Sequence, residues 1–338
     1  MLMVTRDGKT GYWKAFGVRD LDSKRKLERN DLFRIYSITK PITAVAILIL
    51  WEEGLLGLDD PVEKFIPSFS KIKVYKEGKG FFSPQRKMTI RHLLNFSSGI
   101  TYGAFEPMNR ADSIVSKANL MGNAKNLEDL VEGLSDLPIV NEPGDAVSYG
   151  YQTDVLGRIV EVVSGVSLDE FFYERIFEPL GMKETSFVAP ENLLSRFISL
   201  YWIDKTGNPI KSDMGDSSSN FYKSTAKRRY LKFLSGGGGL VSTPTDYLQF
   251  ALMLSNKGVL NGKRILKAST VDMMTSPNRI SDLSRQNALQ GLGWLPGFQV
   301  LVSPDIKSTS GGGHDGLYWA AGAANLFFGL IRKPILSP

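Results

Sequence analysis

The longest apolar run in the sequence, ITAVAILILW at residues 42–51, is its strongest constraint on the fold. It is about half the length that a helix needs to span a bilayer, so it belongs to a globular core rather than a membrane. The helical pattern extends it back to Ser37 and forward to Gly54. Pro41 stands early in the run, where a fixed φ and a missing N–H are best tolerated, and Gly54 marks the end. Glu52 and Glu53 sit in the last turn, which the helix dipole disfavours, so the dipole does not define that end.

On either side of this helix the pattern changes. Residues 1–6, the turn Asp7-Gly8-Lys9 and residues 12–18 read as a hairpin. Residues 70–87 read as a loop, TIRHLLNF at 89–96 as a short amphipathic helix, and residues 103–126 carry weak structure signals. Asn126, three positions before Asp129, is an N-cap candidate for a helix to about Ser135. Helical patterns cover 152–164 and 168–177, and residues 196–203 alternate like a strand. Thr243-Pro244 predicts an N-cap with Pro at N1 and a helix to about Asn256, with another helix at 267–275. Residues 292–295, 298–302 and the Gly-rich region after Ser310 read as strands. Strands at both ends with helices between predict an α+β fold. One α/β sheet domain would be built from 1–59 and 224–338, enclosing a mostly helical subdomain at 60–223, with a site at their seam.

Composition narrows the chemistry. The 338 residues contain no Cys and two His, His92 and His314, with 41 Lys plus Arg against 35 Asp plus Glu, a net charge of +6. Without Cys there is no disulfide scaffold, thiol nucleophile, iron–sulfur cluster or thiolate zinc site. Two His leave a His-based metal site short of ligands and a Ser–His–Asp triad short of candidates. His92, among Ile90, Leu93 and Leu94, reads as a structural helix residue. The basic clusters KRK at 24–26 and KRR at 227–229 read as solvated surface rather than a nucleic-acid footprint. The first ten residues show no basic start followed by an apolar core, so no secretory signal is visible and the expected location is cytoplasmic.

No Gly-x-Ser-x-Gly elbow and no phosphate-binding Walker loop occurs. Gly236–Gly239 reads as a flexible or tightly approached backbone. Ser-x-x-Lys occurs five times, at Ser23/Lys26, Ser37/Lys40, Ser68/Lys71, Ser70/Lys73 and Ser224/Lys227. Only Ser37/Lys40 opens a long apolar helix, where an offset of three puts both side chains on one face. A serine there has its N–H placed to donate to an oxyanion. A lysine walled by Ile35, Ile42 and Val45 loses hydration and could accept the serine proton. On spacing alone, an N-capping serine with a snorkelling lysine stands as an equal alternative.

FRIYSITKPITAVAILILWEEGLLGLDDPVEKFIP resembles the first motif of serine β-lactamase-fold hydrolases. The resemblance continues, in order, through TIRHLLNFSSGI, EPGDAVSYGYQTDVLGRIVEVVSGVSLDEFFYERIFEPLGMKETSF and GGGGLVSTPTDYLQFALMLSNKGVLNGKRIL. Within that superfamily the chain is most similar to family VIII carboxylesterases, alongside class C β-lactamases and D-Ala-D-Ala peptidases. The resemblance implies Ser37 as acylated nucleophile, Lys40 as its partner base and Tyr149 as the second-motif proton shuttle, with no metal or cofactor. Tyr151 stands where β-lactamases carry Asn, which makes it a substrate-pocket candidate of the esterase pattern. Lys9-Thr10-Gly11 spells the third β-lactamase motif but lies in the first hairpin, a decoy. The late region offers His314 with Gly316, or Trp319 with Gly322, as the third motif whose strand should supply a second oxyanion N–H. Family members usually start with a helix before the first strand and continue further past the third motif than this chain does.

The resulting expectation is a serine esterase acting on small-molecule, short-chain esters, without nucleic-acid or membrane partners and with oligomeric state open. A β-lactam-processing hydrolase or D-amino-acid peptidase is the alternative within enzymes. A catalytically silent β-lactamase-like binding protein is the alternative outside them.

Overall fold

A computed structural model describes residues 1–103, 109–211, 233–275, 292–295, 298–301, 317–322 and 326–331. The chain opens with the expected hairpin, β1 (Leu2–Arg6) and β2 (Lys9–Lys14), turned by Asp7 and Gly8 at φ of 50° and 74°. After an irregular segment, β3 (Phe33–Arg34) leads directly into a 3-10 turn at Tyr36–Thr39 and then α1 (Lys40–Glu52). The helix expected from Ser37 therefore begins as a tighter turn. Tyr36 has φ of 44°, which blocks helical geometry before Ser37. From Lys40 to Leu50 every residue of α1 is buried, as an almost wholly apolar helix requires.

The stretch read as a loop at 70–87 contains a second hairpin, β4 (Val74–Lys76) and β5 (Gly80–Phe82). A parallel bridge from Val74 to Ile139 fastens it to a distant segment, a tie no local pattern encodes. α2 (Ile90–Leu94) starts at a capping box in which Thr89 Oγ1 accepts from His92 N–H and His92 Nδ1 accepts from Thr89 N–H. His92 thus serves the helix end. The weak-signal region holds α3 (Arg110–Ala118) and α4 (Leu120–Asn123), separated by Asn119 in a left-handed conformation. The missed cue was Asn109, whose side chain accepts from Asp112 N–H, the same spacing as Asn126 and Asp129.

The middle of the chain continues with α5 (Leu127–Ser135), α6 (Gln152–Ser164), α7 (Leu168–Phe172) with a π-turn at Tyr173–Phe177, and α8 (Glu178–Leu180). At 196–203 the expected strand is corrected: a 3-10 turn ends at Arg196 and only β6 (Tyr201–Ile203) is a strand, paired with β7 (Pro209–Lys211). Residues between them are extended but bond piecemeal, Ile198 N–H to Leu32 O and Ser199 N–H to Arg19 O, so no continuous ladder forms.

Next come β8 (Val241–Ser242), α9 (Pro244–Ser255), β9 (Val259–Leu260), β10 (Lys263–Arg264) and α10 (Ala268–Thr275). Thr243 caps α9 by accepting from Asp246 N–H, with Pro244 in its first turn. The four strands β11 (Leu292–Leu295), β12 (Phe298–Leu301), β13 (Leu317–Gly322) and β14 (Leu326–Ile331) form an antiparallel sheet in that order. Among the described residues this sheet and the β1–β2 hairpin are separate ladders. The two halves of the chain meet where β3 pairs with β8 and where β13 lies against the turn that carries Ser37. One large apolar core holds α1 packed on α6, and a smaller buried cluster of Leu32, Ala189, Leu193 and Val241 lies apart from it.

Candidate active site

The residue before the nucleophile candidate is the most strained in this part of the chain. Tyr36, a bulky side chain, holds a left-handed φ of 44° and is 6% exposed. Such a backbone persists only where packing over-determines it. Part of that packing is β13: a Cβ on Gly322 would fall 2.6 Å from Ile35 O, so only glycine lets the strand come this close. The strain and the strand together fix Ser37 on the first turn leading into α1.

Lys40, 3% exposed, lies one turn further on. Its tip sits in a polar cage. Nζ donates to Gly237 O at 2.6 Å, to Tyr102 Oη at 3.2 Å and to Ser37 Oγ at 3.3 Å. These three contacts account for the three N–H bonds of an ammonium.

Tyr149 approaches Ser37 from the other side, its hydroxyl donating to Ser37 Oγ at 2.8 Å. The ring stacks on Phe96 (centroids 5.6 Å apart, 15° between planes) and meets the edge of Tyr102 at 5.4 Å. Lys40 Nζ stands 4.9 Å from its centroid, within cation–π range. Tyr149 remains 40% exposed, so it borders both the core and the open side of the site. Its loop is held by backbone contact: a Cβ on Gly150 would lie 2.5 Å from Thr101 Cα. Gln152 Nε2 ties the same loops together by donating to Ile100 O and Ser148 O.

Tyr151 is placed differently from a residue lining an open pocket. It is 5% exposed, and its ring packs edge-on against Tyr102 with centroids 4.6 Å apart. Tyr102, which the sequence does not single out, joins the site through Lys40 Nζ and the two tyrosine rings. It stands two positions after the SSGI that ends the resembling stretch TIRHLLNFSSGI, and that proximity is its only signal. Of the late candidates, Trp319 and Gly322 lie on β13 and Gly322 reaches the nucleophile turn, whereas His314 and Gly316 fall outside the described residues.

Behind Lys40 lies Asp154, fully buried. Burial pushes its carboxyl above the ordinary range, opposed by the hydrogen bond from Ser235, the Lys40 charge and the Gly237 N–H. Among the described residues no three His, Asp or Glu gather in a way that would hold a metal, and no helix is long and apolar enough to cross a membrane. The arrangement has the parts for nucleophilic chemistry: a hydroxyl on a strained turn, with a cation and a phenol both in hydrogen-bond reach.

Residues 1–332 match the Beta-lactamase family model. Protein Rv1367c of Mycobacterium tuberculosis is 31% identical over 281 residues, covering 81% of this chain and 66% of that protein. Esterase EstB of Burkholderia gladioli is 27% identical over 336 residues, 94% of this chain and 79% of the relative. EstCE1, described as a hydrolase with promiscuous acyltransferase activity, superposes with a TM-score of 0.80 at 24% identity, covering 98% of this chain and 84% of that one, a likeness that speaks for the fold. The chain spans about two thirds of the length of the first of these relatives (66%). A family match over nearly its whole length, with a serine, a lysine and a tyrosine gathered at one point, shows that this chain belongs to the beta-lactamase family.

Proposed function

We propose that the protein hydrolyses short-chain carboxylic esters through an acyl-Ser37 intermediate, with Tyr149 as the proton-transfer group and Lys40 as the cation that supports it. The observation that carries this reading is the position of Ser37 Oγ, 2.8 Å from Tyr149 Oη and 3.3 Å from Lys40 Nζ. The esterase names among the relatives support the same class of chemistry.

Once Tyr149 has released its phenolic proton to solvent, Ser37 Oγ attacks the ester carbonyl as its own proton passes to Tyr149 Oη. A cation beside the ring supports the negative charge that Oη carries while it is deprotonated. The tetrahedral oxyanion is met by the Ser37 N–H and an N–H of the late strand. Collapse breaks the carbonyl–alkoxide bond, and the alkoxide leaves with the proton from Tyr149. Water then yields a proton to Tyr149 and its hydroxide attacks the acyl carbon. Ser37 Oγ departs and takes that proton back, which restores the starting state.

The test compares wild type with Ser37→Ala on p-nitrophenyl acetate and butyrate. Loss of turnover in the variant is expected; equal rates overturn the mechanism. Intact mass after exposure to a β-lactam checks the alternative substrate class, for which a covalent adduct present in wild type and absent from Ser37→Ala is required.

A further inference from the structure

An ammonium as deep as that of Lys40, 3% exposed, is costly without an opposite charge nearby. The carboxylate set behind it is Asp154, in the first turn of α6. Asp154 Oδ1 accepts from Ser235 Oγ at 2.6 Å and from Gly237 N–H at 3.1 Å. Gly237 in turn presents its carbonyl to Lys40 Nζ at 2.6 Å. Thr43, one turn beyond Lys40 on α1, donates to the neighbouring Gly236 O at 2.7 Å. The strap from Ser235 to Gly237 is thus clamped between two helices.

Both glycines are required by this clamp. A Cβ on Gly236 would lie 2.6 Å from Thr153 O, and one on Gly237 would lie 2.6 Å from Asp154 Oδ2. The start of α6 therefore controls both groups that flank Ser37. Tyr149 follows it directly through the chain, and Lys40 follows it through Asp154 and the strap.

We propose that Asp154 is a positioning residue for the reaction at Ser37: it fixes the Gly237 carbonyl, and that carbonyl fixes Lys40. Its kinetic consequence rests on the ester-hydrolase reading; its structural consequence does not. Asp154 touches neither Ser37 nor the substrate, and no proton passes through it.

Two variants separate its parts. Asp154→Asn keeps an oxygen that can accept from Ser235 and Gly237 but removes the charge; Asp154→Ala removes both. On p-nitrophenyl acetate, Asp154→Ala should lower kcat by about 10²-fold, the cost of misplacing a group by about 1 Å, with KM little changed. Asp154→Asn should retain an intermediate rate. In a Lys40→Ala background, Asp154→Ala should add no further loss to the residual acylation, because its effect runs through the lysine. A full additional loss in that background overturns the proposal. Ser235→Ala, which keeps the charge and removes one hydrogen bond, takes the place of Asp154→Ala should that variant fail to fold, with a smaller loss expected. Crystal structures of the variants decide the matter without any assay. Loss of the Gly237 O to Lys40 Nζ contact is expected, and its retention at 2.6 Å overturns the proposal. A Ser37→Ala protein as active as wild type would instead defeat the hydrolase reading and leave this structural arm standing.

Discussion

Two aspartate–lysine pairs in this protein, Asp20 with Lys211 and Asp154 with Lys40, differ in nearly every physical respect. Near the surface and still in reach of water, partly buried Lys211 of β7 donates to Asp20 at 2.5 Å and to Asp22 at 3.0 Å, with Ser199 and Tyr201 also donating to Asp20. The Lys211 hydrogen bond, followed by those from Ser23 and Ser199, holds the Asp20 carboxyl well below its ordinary range. Asp20 and Asp22 in turn hold Lys211 well above its own. In the core, Asp154 and Lys40 are bridged by Gly237, whose N–H goes to the acid and whose C=O receives the base. Burial there outweighs every favourable partner and pushes Asp154 up. The shorter contact is thus the less consequential one. Water can replace either partner at the surface, and nothing replaces them in the core.

That contrast can be broken experimentally, and the largest effect is expected from Lys40→Ala. It leaves Asp154 buried without its cation, which costs about 3–5 kcal/mol of stability in urea unfolding, besides abolishing most ester turnover. An unchanged unfolding midpoint would show that the two charges do not depend on each other. Tyr149→Phe separates chemistry from packing. The phenyl ring keeps its contacts with Phe96 and Tyr102, so stability should hold while kcat falls about 10²–10⁴-fold, the range of a general acid–base group. Near-normal kcat would remove Tyr149 from the mechanism.

His92 is an intermediate case, half-buried at the start of α2. Burial, then the Arg86 charge, lowers its imidazole below the ordinary value. The folded state therefore prefers the neutral ring, and its Nδ1 needs to be unprotonated to accept from Thr89. Below about pH 6.5 the unfolded chain takes up this proton first, so stability present above that pH declines as pH falls. Unfolding midpoints measured from pH 7 to 5 should fall in wild type and fall less steeply in His92→Gln; parallel slopes would exclude His92 as the source. The smallest effect is expected from Lys211→Ala. Its melting temperature should stay close to that of wild type, and any difference should vanish in about 1 M NaCl, where surface charges are screened. A large, salt-independent loss would erase the distinction between the two regions.

Much of the fold was legible because its cues are local. The apolar run that became α1, the Asn126 cap of α5 and the Thr243-Pro244 start of α9 each depend on residues within one turn. The misses divide by cause. Asn109 and Asp112 repeat the cue that worked at Asn126, so α3 could have been found. The β4–β5 hairpin and the broken strand at 196–203 are held by Ile139, Leu32 and Arg19, which nothing nearby announces. At the site, Ser37, Lys40 and Tyr149 were named from spacing and resemblance, and the structure brings those three together. Tyr102 and Asp154 were not named, since an aromatic after a loop and an acid early in a helix have no distinctive pattern.

The sequence by itself determined that Ser37 and Lys40 would share one face at the head of a buried helix, because an offset of three and an apolar run suffice for that. The partners of Lys40 were a matter for the tertiary structure alone. Tyr102 lies 62 positions away and Gly237 lies 197 away. The cost of a buried charge depends on every polar atom around it, and those atoms arrive from segments whose meeting only the packed core defines.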